Sequence, residues 1–197
     1  CKDKRYWSVG SLLKTGDLYN ADFCYETIPF KLSPWDHETF VNNPMDFYVV
    51  CTDINTGKPV YYKMDQGGRY DTVWLRASAS MPIVSRIVKT KYYELLDGGI
   101  ADSIPIKYFE SIGYDRNVVV LTQSNDYVKK KNKLLPIIKK VYKKYPKLIE
   151  AVENRHIAYN ETTDYIKSKE DIFVIQPKEA LNIGSAVRDP EELDRVY

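Results

Sequence analysis

The stretch Asn117-Val118-Val119-Val120-Leu121-Thr122 decides the fold class. A short, continuous, β-branched run of this kind reads as a core strand of parallel-sheet type, since such strands are covered on both faces. Working outward, Ile104 to Ile112 fits a helix, with Pro105 in its first turn, where the missing N–H costs nothing. Lys91 to Leu96 forms a strand that runs into Asp97-Gly98-Gly99. Asp71 to Ala79 reads as a short helix ended by Pro82. Further upstream, Phe47 to Thr52 and Pro59 to Met64 are strands joined by Asn55-Thr56-Gly57-Lys58, turn chemistry that predicts a hairpin. Asp36 to Val41 fits a short helix capped by Ser33 or Asp36. The rest of Tyr6 to Asn43 is short apolar groups between turn signals.

The pattern changes after Asp126. Leu134, Ile138, Val141, Tyr145, Leu148 and Val152 recur at helical spacing, interrupted by Pro136 and Pro146. Two helices are predicted, the second from Pro146 to Ser168. Ile172 to Ile175 is a last strand and Pro190 to Tyr197 a short terminal helix. Strands and helices alternate, so the class is α/β. Residues 1–126 read as the main body, and 127–197 as an appended helical unit with a final strand.

The 197 residues suffice to bury a core, and 44% hydrophobic with 28% charged residues describes an ordinary globular chain. A formal net charge of +2 gives no general signal for a polyanion partner. Cys1, Cys24 and Cys51 lack metal-ligand spacing, and His37 and His156 are scattered, so no metal site or cofactor is expected. Free thiols suit a reducing, cytoplasmic setting. No apolar run approaches the roughly 20 residues that span a bilayer. Cys1 in place of an initiator Met implies that residues precede it in the parent protein. N-terminal lipidation of that cysteine is a second reading.

The informative chemistry lies in Ala77-Ser78-Ala79-Ser80-Met81-Pro82, followed after a strand by Leu96-Asp97-Gly98-Gly99-Ile100-Ala101-Asp102-Ser103-Ile104-Pro105. Thr52-Asp53-Ile54-Asn55-Thr56-Gly57-Lys58 precedes both, and Gly16-Asp17-Leu18-Tyr19-Asn20-Ala21-Asp22-Phe23 and Pro34-Trp35-Asp36 come earlier still. Together with Asn154 to Asn160 and Phe173 to Pro177, these segments resemble the patatin-like phospholipase family in its own order. The resemblance implies a three-layer α/β/α sandwich, partial here, with residues 1–126 as the C-terminal part of its catalytic domain. It implies that Asp97 is the proton acceptor of a serine–aspartate dyad, with Gly98, Gly99, Ser78, Met81 and Pro82 lining the substrate loop. The chemistry is coherent without a histidine: a serine hydroxyl is a weak nucleophile, and an adjacent carboxylate can take its proton directly. A glycine pair after Asp97 would let the backbone turn sharply and admit the acyl group.

The family's G-x-S-x-G elbow and its upstream oxyanion loop do not occur in residues 1–197. Gly10-Ser11-Leu12 and Gly184-Ser185-Ala186 lack the spacing. The segment alone is therefore expected to be inactive, and to contribute the aspartate to a lipid acyl ester hydrolase in the complete protein. Ser78 and Ser80 are expected to serve helix-end and turn hydrogen bonds, Asp102 to cap the helix near Pro105, and Asp53 to serve the hairpin turn. His156 is expected on a helix as a packed or surface residue.

Lys129, Lys130, Lys131, Lys133, Lys139, Lys140, Lys143, Lys144 and Lys147 form a cluster with no acid between Tyr127 and Ile149. It reads either as a solvated helix face or as attraction to an anionic membrane surface, which would make the protein membrane-peripheral. No nucleic-acid recognition motif accompanies the charge. Two other classes of function stay open: a non-catalytic interaction module on a hydrolase scaffold, and a surface-binding protein acting through the lysines.

Overall fold

The computed structural model describes residues 5–184, 187 and 189–196. Cys1, the serine of Gly184-Ser185-Ala186 and the Tyr197 end of the last helix lie outside them. In chain order the elements begin with α1 (Val9–Thr15), a wide helical segment (Phe23–Leu32) and α2 (His37–Asn42). Then come β1 (Phe47–Asp53), β2 (Pro59–Met64), α3 (Arg69–Ser78), β3 (Val88–Lys89) and β4 (Glu94–Asp97). A single tight turn (Gly98–Ile100) leads to α4 (Ile106–Ser111), β5 (Asn117–Val120), α5 (Leu135–Val141), α6 (Pro146–Lys167), β6 (Ile172–Ile175) and α7 (Pro190–Val196). The chain is thus mixed α/β, as the alternation of patterns predicts.

By packing, the chain divides into two units that interleave in sequence. Among the described residues, one comprises 5–103 and 131–155, and the other comprises 104–130 and those from 156 onward. Neither coincides with 1–126 or 127–197. The reason is the parallel pairing of β5 with β6, Asn117 opposite Ile172 through Val120 opposite Ile175, which joins strands from both sides of Asp126.

The first unit is built on a four-stranded sheet of order β2-β1-β4-β3, antiparallel throughout. Its hairpin is the predicted one. The β-branched and aromatic run of β1 pairs with β2 from Phe47↔Met64 to Thr52↔Pro59, and Gly57 takes the left-handed conformation at φ 69°. Asp53 serves the turn as expected, accepting from Asn55 N–H (3.2 Å) and the Thr56 hydroxyl (2.8 Å).

Adjacent residues on a strand point to opposite faces, and β4 shows what that builds. Leu95 joins Val49, Cys51, Met64, Trp74 and Ala77, so α3 covers one face. Leu96 joins Ile54, Ile138, Leu148 and Val152, so α5 and the start of α6 cover the other. A sheet dressed on both faces needs strands that are apolar at every position, and both leucines are fully buried.

The second unit holds β5 and β6 against α4 and the rest of α6 through Ile106, Val119, Tyr159, Ile166 and Ile172. Here the expectation of a strand buried on both faces fails. Val118 and Val120 are 63% and 69% exposed, because the described helices cover the other face, where Val119 points.

Two further differences concern local structure. Phe23–Leu32, read from sequence as turn-punctuated, is a helical segment with more residues per turn than an α-helix, closed by Ser33 N–H on the Ile28 carbonyl (2.9 Å). Pro29 inside it lacks the N–H that an ordinary helix needs, which disguises the helix in a propensity reading. The predicted cap choice between Ser33 and Asp36 resolves to Asp36, which accepts from Thr39 N–H at 2.9 Å.

Candidate functional site

Asp97 is the last residue of β4, and the chain turns immediately after it. The turn is fixed from several directions. Asp97 N–H donates to the Ser80 carbonyl (2.8 Å), and the wholly buried Thr52 donates its hydroxyl to the Asp97 carbonyl (2.8 Å). Thr52 Oγ1 also accepts from Ala101 N–H (3.2 Å). One carboxylate oxygen, Asp97 Oδ1, accepts from Gly99 N–H at 2.7 Å. The side chain's direction is therefore set by the backbone that follows it, and three of the sequence segments singled out above meet at this residue.

The chain turns sharply at the glycine pair, as expected, but without a left-handed conformation. Neither Gly98 nor Gly99 has a positive φ. Gly98 is buried, and a Cβ there would run into the backbone carbonyl of Val50 on β1. At Gly99 a Cβ would come within 3.0 Å of Asp97 Oδ1 and 3.2 Å of Arg155 Nη2. Both positions serve close backbone approach: Gly98 to the sheet, Gly99 to the carboxylate.

Asp97 lines a cavity of about 310 Å3 together with Tyr19, Tyr25, Arg76, Ser80 and Met81. That volume is at the lower end of small-ligand sites. Asp97, expected as the proton acceptor, and Met81, expected to line the substrate loop, are both among the residues that line this cavity. Ser78, Pro82, Gly98 and Gly99 are not among the lining residues, and the serines that reach the cavity are Ser80 and Ser85. Ser78 ends α3, and the bend between it and Pro82 turns the neighbouring serine inward. Ser80 Oγ donates to the Arg76 carbonyl at 2.7 Å, the helix-end bond expected of it. Asp102 does not cap α4, which has no side-chain cap; its carboxylate accepts the Tyr61 hydroxyl at 2.6 Å. His156 lies on α6, half-buried, with no hydrogen-bond partner for Nδ1 among the described residues.

Several residues at the cavity were not legible as site residues. Asp17 is buried and accepts from Arg86 Nε (3.0 Å), Arg86 Nη2 (2.8 Å), Arg86 N–H (2.7 Å) and Arg76 Nη2 (3.2 Å). One buried carboxylate thus fixes a guanidinium on the cavity wall and ties down the segment after Met81. Within that segment Ile83 adopts φ 75°, which costs a β-branched residue about 1–3 kcal/mol. Its N–H reaches the Tyr142 hydroxyl of the turn after α5 (3.1 Å), a contact that holds the strained geometry.

Burial pushes the Tyr25 hydroxyl up to about 12, with the nearby Cys24 and Tyr6 and the Asp97 charge adding to it and Arg76 opposing. Burial likewise raises the Cys24 thiol above its ordinary value. A thiol held protonated at neutral pH is a poor nucleophile. The cavity therefore offers a fixed carboxylate and, in its own cysteine, no activated attacking group. Among the described residues no cluster of histidine, cysteine and carboxylates could hold a metal ion.

Arg155, on α6, closes the far side of the turn. Its Nε donates to the Gly99 carbonyl at 2.6 Å, and the Ser103 hydroxyl donates to the same oxygen at 2.6 Å. No local signal marks this arginine, which lies 56 positions from its partner.

Among the described residues no helix is long and apolar enough to cross a membrane. No curated protein matches the chain. Residues 145–197, which include Arg155, are similar to a family described as "Domain of unknown function (DUF6363)".

Proposed function

We propose that this chain is the C-terminal part of a patatin-like acyl hydrolase, and that Asp97 is the base of a serine–aspartate dyad whose serine lies upstream of residue 1. The observation that carries the reading is the Asp97 carboxylate at the wall of the 310 Å3 cavity, held by Gly99 N–H at 2.7 Å. Further support comes from the meeting of Thr52, Ser80 and Asp97-Gly98-Gly99 at one turn, with Asp17 lining the same cavity. The helices on both faces of the sheet fit the layered α/β/α arrangement of which this unit would be part.

In the mechanism, the serine hydroxyl attacks the ester carbonyl and its proton passes to Asp97. The ester C–O bond breaks as Asp97 returns that proton to the leaving alcohol, leaving an acyl-enzyme. Water then attacks the acyl carbon, Asp97 takes its proton, and the serine leaves with the proton restored. A carboxylate serves this exchange when it is within hydrogen-bond reach of the hydroxyl and cannot swing away. The Gly99 N–H and the backbone bonds around Asp97 supply that restraint. The substrate class is a lipid acyl ester, and no cofactor takes part.

The test is Asp97→Asn in the full-length protein, assayed on a p-nitrophenyl ester. Asparagine keeps the Gly99 bond through its amide oxygen and cannot accept the proton. Turnover is expected to fall at least about a thousandfold with an unchanged thermal melt, a loss in line with removing a catalytic base. Near-normal turnover rejects the proposal.

A further inference from the structure

The α5 helix and the turns beside it have two apolar sides, and packing accounts for the inner one: Leu135, Ile138 and Tyr142, all buried against Ile54, Leu96 and Ile100. With successive residues advancing about 100° around a helix, Leu134, Ile137 and Val141 fall together on the outer side. They are 48%, 50% and 59% exposed. An amphipathic helix on a protein surface puts polar residues there.

The lysines around this stripe separate into two groups. Lys131 and Lys139 pair with Glu153 at 3.0 Å each, and Lys147 pairs with Glu150 at 2.9 Å. Lys133, Lys140, Lys143 and Lys144 are exposed and make no ion pair among the described residues. The structure thus leaves four unneutralised cations beside three outward aliphatic side chains, with no acid between Tyr127 and Ile149 to offset them.

We propose that this face docks on an anionic lipid bilayer. Leu134, Ile137 and Val141 enter the boundary between headgroups and acyl chains, and the lysine ammonium groups meet lipid phosphates while their stems lie along the apolar surface. Two competing occupants fit less well. A second copy in a two-fold contact would set these lysines against their own counterparts. Single-stranded RNA is held by exposed aromatic rings and arginines, whereas here Tyr142 is buried, Tyr145 half-buried, and no arginine lies in residues 131–148. The inner side of the same segment touches the cavity's border through Tyr142 and Ile83, so docking brings the Asp97 unit to a lipid surface. The proposal stands apart from the hydrolase reading, since binding is scored without turnover.

The experiment is flotation of the full-length protein with phosphatidylcholine vesicles, with and without phosphatidylglycerol. Wild type is compared with a Leu134→Ser, Ile137→Ser, Val141→Ser variant and a Lys133→Glu, Lys140→Glu, Lys143→Glu, Lys144→Glu variant, with folding checked by circular dichroism. Wild type is expected on the anionic vesicles at least about tenfold more than on the neutral ones. The charge-reversed variant should lose roughly a hundredfold in partitioning, and the serine variant about tenfold with every lysine intact. Should either multiple variant not fold, Ile137→Trp gives an independent reading: its fluorescence should shift to the blue on anionic vesicles.

Absent wild-type binding, serine-variant binding equal to wild type, or an unshifted Ile137→Trp spectrum overturns the proposal. So does light scattering in which the serine change converts a dimer to a monomer. Binding of an oligoribonucleotide that needs the lysines and not the aliphatic residues overturns it as well.

Discussion

Arg155→Met removes one hydrogen bond from the turn that aims Asp97 and keeps most of the side chain's packing volume. The bond runs from a charged donor to a neutral carbonyl at 2.6 Å. Hydrogen bonds to charged groups contribute about 1.5–3 kcal/mol. The Gly99 carbonyl keeps the Ser103 hydroxyl at 2.6 Å, so it is not left orphaned, and the lower end of that range applies. A cost of about 1–1.5 kcal/mol in positioning converts to roughly a fivefold to tenfold fall in turnover. The assay is p-nitrophenyl ester hydrolysis by the full-length protein, with kcat and KM separated. A positioning role predicts that kcat falls, KM stays, and the melt moves by only a few degrees. Arg155→Lys should recover part of the loss, because an ammonium can reach a carbonyl but lacks the planar fork. If kcat of Arg155→Met stays within twofold of wild type, the contact is structural and Arg155 has no part in holding Asp97.

The remaining predictions concern space and protonation. Gly98→Ala places a Cβ against the Val50 carbonyl, a backbone atom that cannot swing aside, and should destabilise the fold by about 2–3 kcal/mol in urea denaturation; an unchanged midpoint refutes the close-approach account. Cys24, with its thiol raised by burial, should alkylate with iodoacetamide more slowly near neutral pH than a free thiol, and accelerate only above its ordinary value of 9.0. Fast labelling near neutral pH contradicts the buried, protonated thiol. The Tyr25 hydroxyl, raised by burial to about 12 from 10.0, stays protonated in the folded protein where the unfolded chain already ionises. Stability should therefore be unaffected by this group below pH 10.0 and decline as pH rises toward 12, read from melts of Tyr25→Phe against wild type.

What was legible in the sequence is what local chemistry encodes. The β1–β2 hairpin follows from a β-branched run, a turn tetrad and a glycine at positive φ, all within residues 47–64. The α3 helix, β4 and the bend after Asp97 are likewise set by neighbours in the chain. The partners that make a site are not. Asp17 meets Arg76 and Arg86, 59 and 69 positions away, and Arg155 meets Gly99 across 56. Such pairings depend on how the sheet brings its edges and helices together, which periodicity does not report.

Some legible features also misled. The glycine pair was read as allowing a sharp turn, which is present, but it needs no positive φ, and what the positions require is the missing Cβ atoms. The valine run of β5 suggested a strand covered on both faces, since apolar content alone cannot say how many layers pack on it. The Phe23–Leu32 helical segment was not legible either, since Pro29 within it lacks the N–H that a helix interior uses.

The most direct measurement is labelling of the full-length protein with a fluorophosphonate, followed by peptide mapping of the modified residue, in wild type and Asp97→Asn. The account predicts a single phosphonylated serine N-terminal to residue 1, with labelling abolished when Asp97 is replaced. A label on Ser80, Ser85 or Cys24 within this chain, or undiminished labelling in Asp97→Asn, would contradict it.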